Sequence, residues 1–230
     1  MSEVELPRGY EPHTWRTYLK ALSATLRFKP DDFRRYRLHW DRISGWLTYE
    51  QARWLFQQGN TTTLSGDIVE IGSAYGRSTV CLAWGARLAR NGKVYAVDPH
   101  IGGIAFRAGM GERAKEYTSL DLFEANIRRF NLQDYIVPLV ATSEDAVKNW
   151  TSKNIRLAFI DGWHTYDAVK HDILAWSPYI KPGGIIALHD YHLEEIRQAI
   201  SDSLQQLGIS TNALLHVDET MVYFHLPQTL

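Results

Sequence analysis

From Gly66 onward, the hydrophobic positions fall in short runs of four or five, separated by longer stretches in which apolar residues recur at three- and four-residue steps. The short runs suit strands buried on both faces of a sheet, and the longer stretches suit helices that cover it. Strands are expected over Asp67 to Ile71, Lys93 to Val97, Ile136 to Val140, Leu157 to Ile160, Gly184 to Leu188 and Met221 to His225, with a weaker one at Ala213 to Val217. Helices are expected over Ser78 to Arg90, Ser119 to Phe130, Ser143 to Trp150, Tyr166 to Trp176 and Leu193 to Leu207. This alternation predicts an α/β sandwich around a mostly parallel sheet.

The first 65 residues read differently. From Trp15 to about Gly59 the chain is aromatic and charged, and Trp40, Ile43, Trp46 and Leu47 recur at helical steps. A second helix is expected to start at Thr48, whose hydroxyl can cap it, and to end before Gly59 with Trp54 and Leu55 facing inward. The expected division is a helical cap over residues 1–65 and a ligand-binding unit over residues 66–230. The aromatic residues of the cap serve either as core or subunit contacts, making a homo-oligomer, or as a cover over a cleft.

Composition narrows the partners. The chain has 230 residues, with 25 Lys plus Arg against 26 Asp plus Glu, so no overall field draws it to nucleic acid or anionic lipid. A small molecule is the expected partner. Cys81 is the only cysteine, which excludes an intrachain disulfide and agrees with a reducing cytoplasm. The N-terminus carries early acids and no apolar run, and no stretch is long and apolar enough for a bilayer, so neither secretion nor a membrane is expected.

In open α/β sheets the ligand lies beyond the carboxyl ends of the strands. The first strand runs into Glu70-Ile-Gly72-Ser73-Ala-Tyr-Gly76, where two glycines allow a tight turn and close backbone approach. Neither G-x-G-x-x-G nor a Gly-Lys-Ser/Thr ending is present, which disfavours pyrophosphate and a nicotinamide oxidoreductase. A carboxylate at Glu70 suits a positively charged, zwitterionic ligand such as S-adenosylmethionine. Asp98 ends the second strand, placed either to accept from ribose hydroxyls or to cap a turn. Ser143 follows the third strand, either as a helix cap or as a polar edge for an adenine ring.

These residues in this order, continued by Thr142-Ser-Glu, Phe159-Ile-Asp161-Gly-Trp-His164 and Lys181-Pro-Gly-Gly184, resemble the class I S-adenosylmethionine-dependent methyltransferases over roughly Gly66 to the C-terminus. Within them the chain is similar to the small O-methyltransferases of catechol and macrolide-sugar type. The resemblance implies a three-layer, Rossmann-like sandwich with a seven-stranded sheet. It also implies cofactor contacts at Glu70, Gly72, Ser73, Gly76, Asp98, Ser143 and Asp161.

Strands four and five deliver Asp161-Gly-Trp-His164 and His189-Asp190-Tyr-His192 to one rim. Asp161, Asp190 and His189 form a ligand set for Mg²⁺ or another divalent cation; alternatively, the acids bond the substrate or the cofactor ammonium. Catechol-type relatives have Asp then Asn at strand five and macrolide-sugar relatives an acid then Asp, whereas His189 and Tyr191 flank Asp190 here. His164 occupies the position of the catalytic Lys or His in those groups and is the expected general base, with Asp161 beside it; the competing reading is a turn-supporting imidazole. Between Asp98 and Ser119, the glycine-rich His100–Gly111 stretch reads either as a lid, with Phe106, Arg107 and Met110 touching the acceptor, or as a surface loop. The expected activity is methyl transfer to a hydroxyl of a small polyhydroxylated or phenolic acceptor. The alternative is a non-catalytic nucleoside-binding module.

Overall fold

The structure is a computed structural model that describes residues 40–101 and 119–228. The element order is α1 (Tyr49–Gly59), β1 (Asp67–Ile71), α2 (Arg77–Ala89), β2 (Val94–Val97), α3 (Ser119–Phe130), β3 (Ile136–Leu139), α4 (Ser143–Lys148), β4 (Ile155–Ile160), α5 (Tyr166–Trp176), β5 (Ile180–Leu188), α6 (Glu194–Gln206), β6 (Leu215–His216) and β7 (Val222–His225). The strands form one seven-stranded sheet in the order β3-β2-β1-β4-β5-β7-β6. The first five pair in parallel, and β7 and β6 close the edge antiparallel. Strand order reverses between β1 and β4, which opens a crevice at their carboxyl ends.

Side chains alternate across β1, so its two faces belong to different cores. Ile68 packs with Leu55, Phe56, Leu82, Phe123 and Phe159 under α1, α2 and α3. Val69 and Ile71 pack with Ile160, Ile173, Trp176, Ile186 and Ile200 under α5 and α6. Glu70 shares the face of Ile68 and is therefore directed into the first core. The sandwich thus has the three layers and mixed seven-stranded sheet expected of it.

Helix α1 begins as expected. Thr48 accepts from the Gln51 N–H and the Gln51 side chain accepts from the Thr48 N–H, a reciprocal cap. Leu55 and Phe56 are buried, while Trp54 lies half-buried against Tyr223 with ring centroids 4.8 Å apart. α1 is set tightly on α2: a Cβ at Gly85 would lie 2.3 Å from the Phe56 carbonyl oxygen. The buried Arg156 of β4 holds the join, donating to the carbonyls of Gln58, Gly59, Gly66 and Asn91 at 2.6–3.3 Å.

The helix expected through Trp40, Ile43, Trp46 and Leu47 does not form over residues 41–48, which run as turn and irregular chain. Arg77 takes the carbonyls of Ile43, Gly45 and Leu47, so these groups bond a guanidinium instead of an N–H one turn on. Gly45 stands at φ +145°, and the guanidinium lies 4.8 Å from the Trp40 ring centroid. Burial of Trp40, Ile43 and Leu47 survives the change, whereas Trp46 is exposed. Residues 1–39, including most of the expected cap, and Gly102–Gly111 of the expected lid with Phe106, Arg107 and Met110 lie outside the described residues.

Candidate active site

The turn after β1 is shaped by a close backbone approach. Gly72 stands at φ +87°, and a Cβ there would sit 2.1 Å from the Asp161 carbonyl oxygen. Its N–H donates to Val97 O and the Asp161 N–H donates to Ile71 O, so the ends of β2, β1 and β4 are knitted together. Gly76, at φ +85°, opens α2 with no side-chain cap. Asp98 reaches across from β2: one carboxylate oxygen accepts from the Ala74 N–H at 2.8 Å and the other from the His100 N–H at 2.7 Å. Asp98 therefore caps this turn, and each oxygen keeps a lone pair for a further donor.

Glu70 does not stand on the open rim, as the sequence suggested, but is wholly buried beneath the turn. Period-two alternation sends it into the first core, where the Thr79 hydroxyl donates to its Oε2. Burial pushes its carboxyl up to about 8 against the opposing hydroxyls of Ser78 and Thr79, with Asp161 and Asp98 adding repulsion. Its Oε1 has no partner, nor do the buried Ser73 Oγ and His100 Nε2. Unmet buried polar atoms are uncommon in folded proteins. Their concentration at the ends of β1 and β2 fits a polar, hydrogen-bonding ligand seated there.

At the ends of β4 and β5 the acids and imidazoles come together. Asp161, His164 and Asp190 present ligand atoms that all lie within 4.8 Å of one another. His164 Nε2 is 2.8 Å from Asp190 Oδ2 and 3.8 Å from Asp161 Oδ1. His189 joins them, its Nδ1 lying 3.0 Å from Asp190 Oδ2 and 3.3 Å from Asp161 Oδ1. Two carboxylates with one imidazole, His164 or His189, at this spacing fit a divalent cation, with a nitrogen donor favouring Mn²⁺, Fe²⁺ or Zn²⁺ over Mg²⁺.

The same contacts alter the expectation for His164. Its bonds to Asp161 and Asp190 raise the imidazole to about 9, so in the resting site it carries a proton at neutral pH rather than waiting as a free base. Burial opposes a charge on His189, yet the same two carboxylates outweigh it and bring the ring to about 10. Burial also opposes ionisation of Asp190, and the bonds from His164 and His189 hold it well below the ordinary carboxylate range regardless.

The Ser143 side chain does not cap its helix. Thr142, not Ser143, caps α4 by accepting from the Asp145 N–H. The Ser143 hydroxyl donates to Asp172 at 2.5 Å and accepts from the Trp176 indole at 2.9 Å, which commits it to α5. Two residues given no role of their own in the sequence, His100 and His192, and one it did not mark, Gln51, belong to the site. His100 carries no motif signal, His192 Nδ1 sits 3.8 Å from Asp190 Oδ1, and Gln51 reaches His189 across 138 positions of chain.

A family model described as a methyltransferase domain matches residues 69–191. Among solved structures, the O-methyltransferase NovP superposes with a TM-score of 0.67 at 18% identity, covering 92% of this chain and 97% of its own. TomG from Streptomyces achromogenes, an O-methyltransferase of tomaymycin synthesis in complex with SAM, gives 0.55 at 12% identity over 91% and 96%. An O-methyltransferase from Bacillus cereus in complex with SAH gives 0.53 at 16% identity over 90% and 97%. At these identities the likeness speaks to the fold.

Proposed function

This chain belongs to the methyltransferase-domain family that matches its residues 69–191, and from that membership we propose that it transfers a methyl group from S-adenosylmethionine to a hydroxyl oxygen of a small polyhydroxylated or phenolic acceptor. One observation carries the reading: a buried polar turn bridged by Asp98 and a carboxylate–imidazole cluster meet at one rim, joined where Gly72 abuts Asp161. Neighbours solved with SAM or SAH support the choice of donor. Gly72, Ser73 and Gly76 would border its amino-acid end, Asp98 would accept from its ribose, and Glu70 would act from beneath through its unmet oxygen.

The sulfonium methyl is already electrophilic, so the chain's main task is to bring the acceptor oxygen, methyl carbon and sulfur into line. Asp161, Asp190 and His189 would hold a divalent cation. When bound, that cation would fix the acceptor oxygens and lower their pKa. His164 becomes a base only after Asp161 and Asp190 turn their lone pairs elsewhere, because those two contacts hold its proton. In the same reading, residues 1–65 form the cap and residues 66–230 the catalytic unit. No helix of the described residues is long and apolar enough to cross a membrane.

The test is methyl transfer itself. Purified full-length protein is incubated with methyl-labelled donor and a panel of sugars, catechols and glycosylated metabolites, with and without EDTA. Label should appear on a hydroxyl oxygen and be lost with EDTA. Binding of SAH without transfer to any acceptor would favour the non-catalytic module, and absence of SAH binding would end the reading.

A further inference from the structure

Gln51 lies on α1, far in sequence from the rim, and is completely buried. Its side-chain oxygen accepts from the Thr48 N–H at 2.9 Å and faces His189 Nε2 at 3.2 Å. Its side-chain nitrogen donates to Asp218 Oδ1 at 3.0 Å and to Thr220 Oγ1 at 2.7 Å. The Thr220 hydroxyl in turn donates to Asp218, leaving its lone pair for Gln51. A reversed amide would set its oxygen against a carboxylate oxygen and its NH₂ against the Thr48 N–H. Only one orientation is therefore satisfied, and it presents an acceptor to His189.

An acceptor at that place requires hydrogen on Nε2 of His189, which fixes the work of the other ring nitrogen. Nδ1 is buried and faces Asp161 Oδ1 and Asp190 Oδ2 in an ion pair, the place a cation would take from its proton. Its separations of 3.0 and 3.3 Å are those of adjacent ligands around a shared centre, since donors about 2.1 Å from one cation stand about 3 Å apart at right angles.

We propose that Gln51 is a positioning residue: its amide, oriented by Asp218 and Thr220, keeps hydrogen on His189 Nε2 so that Nδ1 faces Asp161 and Asp190 as a nitrogen ligand for a divalent cation. Helix α1 and the β6–β7 turn thereby help build the rim, although neither contributes a ligand. Outer partners that orient a ligating imidazole alter metal affinity by about 10–100-fold.

The inference rests on the proposed reaction only for the use made of the cation, so its test omits both methyl donor and acceptor. The full chain, ¹⁵N-labelled at histidine, is titrated with Zn²⁺ as a diamagnetic probe and followed by long-range ¹H–¹⁵N correlation, with His189 assigned from a His189→Gln variant. Zn²⁺ should move the Nδ1 resonance while Nε2 keeps its proton. Gln51→Leu should abolish that pattern and weaken Zn²⁺ binding at least 10-fold, and Gln51→Glu, which keeps an acceptor toward His189 but sets a second oxygen against Asp218 Oδ1, should restore it in part. Thr48→Ala removes the hydroxyl cap of the same helix and its bond to Asp218 Oδ2, but Thr220 and Met221 still hold Asp218 Oδ1 against the amide, so ring signal and affinity should persist. The proposal is overturned if hydrogen resides on Nδ1 with Nε2 bare, if Zn²⁺ leaves Nδ1 unmoved, or if Gln51→Leu and Thr48→Ala reduce affinity alike. A failed methyl-transfer assay alongside the expected NMR pattern would remove the reaction and leave this arrangement standing.

Discussion

Glu70→Gln keeps the shape of the buried side chain and an acceptor for the Thr79 hydroxyl while removing the possibility of charge. The wild-type carboxyl is raised from 4.5 to about 8 on folding, chiefly by burial. Its folded pKa lies above the unfolded one, so between those values the unfolded chain releases a proton that the folded chain retains. Stability therefore falls as pH rises through this window and levels off near pH 8. At about 1.4 kcal/mol per unit the full span is about 5 kcal/mol, an upper bound because local rearrangement admits water. The amide side chain carries no such slope. Thermal unfolding of ligand-free protein followed by circular dichroism should show little difference between the two at pH 5. By pH 8 to 9 the variant should be ahead by roughly 10 °C, at about 2–4 °C per kcal/mol for a chain of this size. Parallel stability curves across pH 5 to 9 would refute the reasoning, because they would mean that Glu70 ionises equally well in both states.

Asp98→Ala should weaken SAH binding about 10–100-fold in calorimetry, the scale of charge-assisted hydrogen bonds lost, with little change in acceptor KM. Asp190→Asn should show the converse, lowering kcat/KM for the acceptor by roughly 100-fold while SAH affinity stays within about 3-fold; equal losses in both would mean the two ends of the rim are not separate subsites. Arg156→Met leaves the carbonyls of Gln58, Gly59, Gly66 and Asn91 without their donor. At about 1 kcal/mol for each, the midpoint of thermal unfolding should drop by roughly 10 °C.

The sheet was legible because its strands are short and apolar on both faces, and β1, α3 and α5 begin and end where the sequence places them. Strand β5 is longer than expected: it starts at Ile180 and carries Lys181-Pro-Gly-Gly184 within it, residues that read locally as a turn. Local and tertiary preferences compete here: β4 pairs with Ile180 and then with Ile185–Leu188, and Lys181–Gly184 bulge between them with Gly183 at φ +75°. The same competition undid the helix at Ile43, whose periodicity was real but whose carbonyls bond a side chain 34 residues away. At the site, Asp161, His164 and Asp190 could be found because each lies within four residues of a strand's carboxyl end. Gln51 could not, since nothing around it on α1 reveals that the other end of its hydrogen bonds lies beyond β6. The burial of Glu70 was implicit in the alternation along β1, in which Ile68 and Glu70 share a face.

The contact between Gly72 and the Asp161 carbonyl leaves no room for even a methyl group between the turn after β1 and the end of β4. In the proposed reaction, donor and acceptor would consequently be mounted on one stiff frame whose internal spacing small substitutions cannot retune. Descendants of this chain that take larger or differently shaped acceptors would have to change what projects from the frame, because its gauge is set by bare backbone.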